Sequence, residues 1–273
     1  MKPSREQTRM LAREESASLD ESSVSTGAGG DSEPALYRIL QNPERALFGK
    51  YRIERLIGSG GMGYVFLAWD DLLKRKVALK LIKECDPLAV ERLLVEARSQ
   101  ARLRHENVCQ VYEAGTEQGI PFVAMQFVDG KALDAACEEM AVEQKVWLVA
   151  RVAEALHAAH REGVVHRDVK PGNVIVEETP GGQLHPYLVD FGLAREVSGS
   201  RLTVSGLVVG TPSYMSPEQA RGEKNVDRRA DVYGLGATLY ELLAGLTLRF
   251  STELPANWRR PLGPRPAILA TGN

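Results

Sequence analysis

Apolar and polar positions change rhythm once along the chain, close to Gly130. Before it, short runs rich in Val, Leu and aromatic residues predict strands at Tyr51–Ile57, Tyr64–Trp69, Lys76–Ile82, Val108–Ala114 and Pro121–Phe127. A glycine turn is expected over Gly58–Gly63 and a second turn over Thr116–Gly119. One stretch, Leu88–Leu103, has helical spacing instead, with Val90, Leu93, Leu94 and Ala97 as its apolar stripe. After Gly130 the longest predicted helix is Glu143–Glu162, with Val146, Val149, Ala150, Ala153, Leu156 and His157 near helical spacing and Gly163 as its stop. Short strands are expected at Val174–Val176 and Tyr187–Val189, and a further helix at Ala230–Leu243. The pattern predicts an α+β protein: a small antiparallel sheet lobe with one helix, then a larger, mainly helical lobe. A cleft between two lobes is a natural ligand site.

Both flanks read differently. Met1–Glu33 is rich in Ser, Glu, Arg and Gly, a composition that predicts disorder, and Leu36–Phe48 is expected to add a short helix against the domain. The expected division is therefore a leader over 1–48 and a folded domain over 49–250, split into lobes 49–129 and 130–250. An irregular tail follows over 251–273, where Pro255, Pro261, Pro264 and Pro266 exclude a continuous helix.

Composition narrows the function classes. A formal charge of −2 gives no electrostatic footprint for a nucleic-acid partner. No run approaches the ~18 apolar residues needed to span a membrane. Three widely spaced cysteines, Cys85, Cys109 and Cys137, form no metal-ligand pattern and fit a reducing compartment, so a cytoplasmic location is expected.

Four constellations carry chemistry. In GSGGMGYV, Gly58, Gly60, Gly63 and Val65 have a spacing that lets backbone amides approach phosphates. A dinucleotide-binding turn would lead into a helix, whereas YVFLAW after Gly63 is a strand. Lys80, at the end of VALK, is placed to reach α- and β-phosphates, with Glu96 on the following helix as its expected carboxylate partner. In HRDVKPGN, Asp168 can accept the proton of a substrate hydroxyl, Lys170 can offset charge on a transferring phosphoryl group, and Asn173 offers an oxygen to a divalent metal. His166 reads as a packed, hydrogen-bonded residue rather than a base. Asp190, in the DFG triplet, is the second candidate metal ligand.

With GTPSYMSPEQ (Gly210–Gln219) and RADVYGLGATLYELLAG (Arg229–Gly245), these motifs make the chain resemble the bacterial branch of the Hanks-type serine/threonine protein kinases from about Tyr51 to Leu246. The resemblance implies a two-lobed fold, ATP with Mg²⁺ (or Mn²⁺), and protein substrates with Ser or Thr acceptors. It implies Ile57, Val65, Ala78 and Ile175 as walls of the adenine pocket, Met125 as its gatekeeper, and Gln126 and Val128 as hinge positions. Lys170 with Thr211 fits the serine/threonine class. Asp231 is implied as a brace for the catalytic-loop backbone, and Glu218 as the partner of an arginine much later in the chain. Arg167 implies control by phosphorylation, with Thr203 and Ser205 as acceptors.

Two positions depart from the family pattern. Gln100 lies one helical turn past Glu96, where the family places a small or apolar residue against Phe191; it is expected to let water or a hydrogen bond into a stack that supports the active state, with a modest effect because glutamine could reach solvent. The end of the large lobe is expected to be incomplete, leaving the Ala230–Leu243 helix partly uncovered and inviting self-association or a partner. A working kinase is the leading expectation. A shortened, impaired kinase-like module that binds ATP or a partner, and a small-molecule phosphotransferase of kinase-like fold, remain as alternatives.

Overall fold

The computed structural model describes residues 35–60, 63–83, 87–191, 212–223 and 225–245. The small lobe is built on six strands: β1 (Leu47–Phe48), β2 (Tyr51–Gly60), β3 (Gly63–Asp70), β4 (Arg75–Ile82), β5 (Val111–Glu117) and β6 (Ile120–Gln126). They form one antiparallel sheet in the order β1-β2-β3-β4-β6-β5. Alternation along the strands splits the side chains between two cores. Phe48, Ile53, Phe66, Leu79 and Leu81 fill one, and helix α1 (Ala35–Gln41) packs Ile39 and Leu40 into it. On the other face, Ala78, Val111, Val123 and Met125 meet Leu93 and Ala97 of α2 (Pro87–Gln100).

The glycine motif sits at a hairpin end. β2 continues to Gly60, which pairs with Gly63, so the strands run further than the sequence suggests and the predicted turn shrinks. Gly63 has φ +154, and a Cβ there would lie 2.0 Å from the Leu81 carbonyl oxygen. Only glycine fits that close approach of neighbouring backbones.

The large lobe contains β7 (Lys131–Ala132), α3 (Leu133–Ala136), α4 (Val142–Arg161), β8 (Val174–Glu178), β9 (Leu184–Leu188), α5 (Pro217–Ala220) and α6 (Arg229–Ala244). Its three strands pair in the order β7-β8-β9. Helix α4 buries Leu148, Val149, Val152, Ala155, Leu156 and Ala159, each large side chain contributing about 1.5–3 kcal/mol. That face corrects the expected stripe, since Val146, Ala150 and His157 are exposed. The helix is apolar around much of its circumference, so spacing alone leaves its phase open. Helix α6 buries Ala230, Gly234, Ala237 and Leu242 and exposes Val232, Tyr240 and Leu243. Lys145 Nζ donates to the Leu242 carbonyl at 3.1 Å, tying α4 to the end of α6.

The lobes are joined by backbone as well as by chain connection. Cys109 N–H donates to the Leu188 carbonyl and Leu188 N–H to the Asn107 carbonyl, both at 2.9 Å. This parallel bridge uses residues expected to open β5, which is why that strand begins at Val111. Among the described residues, no helix is long and apolar enough to cross a membrane.

Candidate active site

The catalytic loop lies between α4 and β8 and is held from below by α6. Asp231, 1% exposed, accepts the His166 N–H with Oδ2 at 2.8 Å and the Arg167 N–H with Oδ1 at 2.6 Å. His160 Nε2 meets the same Oδ2 at 2.7 Å. His160 was not singled out in the sequence; its i, i+3 spacing from His157 at the end of α4 was the available signal. Gly234 lets α6 come close, since a Cβ there would lie 2.9 Å from the Val169 carbonyl oxygen.

His166 is fully buried and makes two ring hydrogen bonds. Nδ1 accepts the Asp168 N–H at 3.2 Å, so Nε2 carries the proton and donates to the Val189 carbonyl at 3.0 Å. Burial pushes its pKa below the ordinary histidine value despite the pull of Asp231, which keeps the ring neutral. The ring also contacts Phe191, with centroids 4.5 Å apart.

Asp168 is bracketed by the two residues expected to work with it. Lys170 Nζ donates to Oδ2 at 2.7 Å. Asn173 Nδ2 donates to the same oxygen at 2.9 Å and to the Asp168 carbonyl at 2.8 Å. These bonds fix the Asn173 amide orientation and leave its Oδ1 as the acceptor. Asp190 has φ +59, and its Oδ1 meets Lys80 Nζ at 2.8 Å. Burial alone would raise the Asp190 pKa, but Lys80 outweighs it and holds the carboxyl below its ordinary range. An amide oxygen and an ionised carboxylate are hard donors suited to a divalent cation that keeps its other positions for water and phosphate. The residues present therefore fit such an ion.

Lys80 requires a correction. It is 5% exposed and needs a countercharge, but that countercharge is Asp190, not the expected Glu96. Glu96 Oε1 instead meets Arg167 Nη1 at 3.3 Å. The route to solvent that would have softened the effect of Gln100 is closed: the residue is 3% exposed, and its Oε1 is buried without a hydrogen-bond partner. It follows Leu93 and Ala97 on the helix face that packs against the sheet, which turns it inward.

The remaining expected positions surround the cleft. Ile57 and Val65 are partly buried against the cluster containing Ala78 and Met125, and Val65 pairs with Lys80 while Ala78 pairs with Met125. Gly58 pairs with Val65 under the hairpin end. Ile175 alternates with buried Val174 and Val176, so it faces away from the large-lobe core. At the hinge, the Gln126 N–H donates to the Gln110 carbonyl at 2.8 Å, and Cys109 Sγ donates to the Gln126 carbonyl at 3.4 Å. Burial pushes that thiol up to about 12, so it stays protonated. Val128 is partly buried beyond β6. Gly192, Thr203, Ser205, Thr211 and the tail 251–273 lie outside the described residues.

A two-lobed fold whose cleft gathers a strand lysine, a catalytic-loop aspartate and asparagine, and a DFG aspartate defines a protein kinase domain. Residues 51–257 match the protein kinase domain family, and the chain belongs to it. Within that family it falls in the bacterial, Hanks-type serine/threonine branch. It is 41% identical over 209 residues to serine/threonine-protein kinase PknJ of Mycobacterium tuberculosis, covering 73% of this chain and 35% of that protein. It is 38% identical over 210 residues to PknA of the same organism, covering 73% and 48%. The crystal structure of the M. tuberculosis PknI kinase domain superposes with a TM-score of 0.62 at 30% identity, over 81% of this chain and 82% of that one. The chain thus spans less than half the length of these two curated relatives.

Proposed function

We propose that this chain is a protein serine/threonine kinase that transfers the γ-phosphoryl group of ATP to Ser and Thr hydroxyls of proteins. The observation that carries the reading is the bracketing of one Asp168 carboxylate oxygen by Lys170 and Asn173. It holds the carboxylate in one orientation and leaves Oδ1 to accept the hydroxyl proton. As the hydroxyl oxygen bonds to the γ-phosphorus, the bond to the β–γ bridging oxygen breaks and ADP leaves with that electron pair. The proton passes to Asp168, and Lys170 offsets charge on the transferring group. Asn173 and Asp190 would hold Mg²⁺ (or Mn²⁺), which neutralises phosphate charge when bound.

Lys80 serves the nucleotide only after giving up Asp190, and Glu96 then becomes its partner on release from Arg167. A phosphate on Thr203 or Ser205 supports that exchange, because it would compete with Glu96 for the Arg167 guanidinium. Autophosphorylation at these residues and Thr211 as a substrate-positioning hydroxyl belong to the same proposal. A second reading, a nucleotide-binding module without transfer, is favoured by the Lys80–Asp190 and Glu96–Arg167 pairs.

Incubating residues 1–273 with γ-labelled ATP, Mg²⁺ and a generic basic protein separates the two. Transfer should fall about 10²–10⁴-fold in Asp168→Asn. A soluble, monodisperse parent that incorporates no more label than the variant would replace the kinase reading with the binding module.

A further inference from the structure

Gln219 follows the SPE triplet and is 5% exposed, and both ends of its amide are engaged. Oε1 accepts the Ser216 N–H at 3.0 Å, while the Gln219 N–H donates to Ser216 Oγ at 3.4 Å, a reciprocal cap on the first turn of α5. Nε2 reaches out of that turn and donates to the Arg167 carbonyl at 2.7 Å. A cap alone requires only the oxygen. The nitrogen is spent on the catalytic loop.

The contacted carbonyl belongs to the peptide unit that joins Arg167 to Asp168. Its N–H is the one accepted by His166 Nδ1 at 3.2 Å. Because a peptide unit is planar, fixing its oxygen and its hydrogen fixes the plane from which the Asp168 side chain departs. Arg167 is also left-handed, with φ +65, a conformation that is strained for a non-glycine residue and persists only where neighbours enforce it. Asp231 enforces it at the Arg167 N–H and Gln219 at the Arg167 carbonyl.

We infer that Gln219 is a positioning residue for phosphoryl transfer: a strut whose amide nitrogen locks the Arg167–Asp168 peptide plane and whose amide oxygen ties that plane to the Pro212–Gln219 segment. The inference rests on the kinase reading and adds to it a connection between two stretches of chain. The turn at Ser216–Gln219 and the residue expected to take the hydroxyl proton are set by one side chain.

Gln219→Glu separates the strut from the cap. The carboxylate still accepts the Ser216 N–H but has nothing to donate to Arg167. Gln219→Met removes both functions at similar volume. In the full chain, Gln219→Glu should lower kcat about 10–100-fold at pH 8 with KM for ATP within twofold of the parent and little change in Tm. Its rate relative to the parent should recover on acidification, because the protonated acid regains a donor toward the Arg167 carbonyl. Gln219→Met should lose kcat without that pH-dependent recovery. If the side chain is only a cap, Gln219→Glu turns over like the parent and Gln219→Met loses activity only in step with its Tm, which overturns the strut.

Hydrogen–deuterium exchange provides a readout that needs no turnover. Amides over 165–170 should exchange faster in Gln219→Glu, while those of α4 stay unchanged. Parent-like exchange over 165–170 overturns the strut whether or not the chain transfers phosphate. Absence of Asp168-dependent transfer in the parent sinks the kinase reading alone.

Discussion

Replacing Lys80 with methionine would remove the only cation in hydrogen-bond contact with Asp190 among the described residues. At 2.8 Å and an effective dielectric near 20, the attraction amounts to about 6 kcal/mol before desolvation is counted. Lys80 loses nearly all its water, with its side chain 7% exposed, whereas Asp190 keeps about a third of its exposure at 32%. Desolvation therefore offsets much of the attraction, and a net coupling of about 2 kcal/mol is expected. Urea unfolding followed by tryptophan fluorescence on Lys80→Met, Asp190→Asn and the double variant measures it. Each single change should destabilise the chain, and the double variant should be more stable than the sum by about that amount. A parallel cycle with Glu96→Gln should be additive within about 0.5 kcal/mol. Coupling of Lys80 to Glu96, with additivity toward Asp190, would refute the reasoning and return Lys80 to the partner expected from sequence.

Two further outcomes follow from local geometry. Because burial depresses the His166 pKa, the unfolded chain binds a proton near pH 6.5 that the folded chain refuses. Stability from the neutral ring is therefore complete above 6.5 and declines as pH falls below it, at about 1.4 kcal/mol per pH unit from this group. Thermal unfolding between pH 7.5 and 5 should show a shallower acid slope in His166→Asn, and an equal slope would count against the neutral-ring account. Gly63→Ala would place a Cβ 2.0 Å from the Leu81 carbonyl oxygen, so β3 and β4 must separate locally. A loss of about 1–3 kcal/mol in urea unfolding is expected, with weakened ATP binding by calorimetry. Parent-like values for both would show that the hairpin end does not need glycine there.

The sequence made the chemistry legible because its motifs are local. HRDVKPGN puts Asp168, Lys170 and Asn173 within six consecutive residues, and the structure holds them as one hydrogen-bonded group. Partner choice between distant elements was not legible. Lys80, Glu96, Arg167 and Asp190 are two cations and two carboxylates that pair in more than one neutral way, and only their spatial arrangement selects Lys80 with Asp190. The expected stripe of α4 failed for a related reason. Alanines around the helix satisfy several phases, and the neighbouring β9 and α6 choose among them. Glutamine is usually exposed, which left Gln100 a route to solvent in the sequence, and its place in line with Leu93 and Ala97 overrides that preference.

The paired bonds between Asn107, Cys109 and Leu188 bear on how the cleft opens. They sit beside the Gln126 carbonyl that Cys109 Sγ also touches. With Asn107 Nδ2 donating to the Pro186 carbonyl at 2.9 Å and His185 Nε2 3.0 Å from the Glu106 carbonyl, the bonds line up along one short stretch, which resists separation more than rotation about itself. It therefore works as an axle. A tilt of the sheet lobe about it would carry the glycine hairpin and Lys80 away from or toward Asp168, while the distance between the lobes at the axle stayed fixed. Under the proposed function, nucleotide entry and product exit would then require a change of angle, with neither core coming apart.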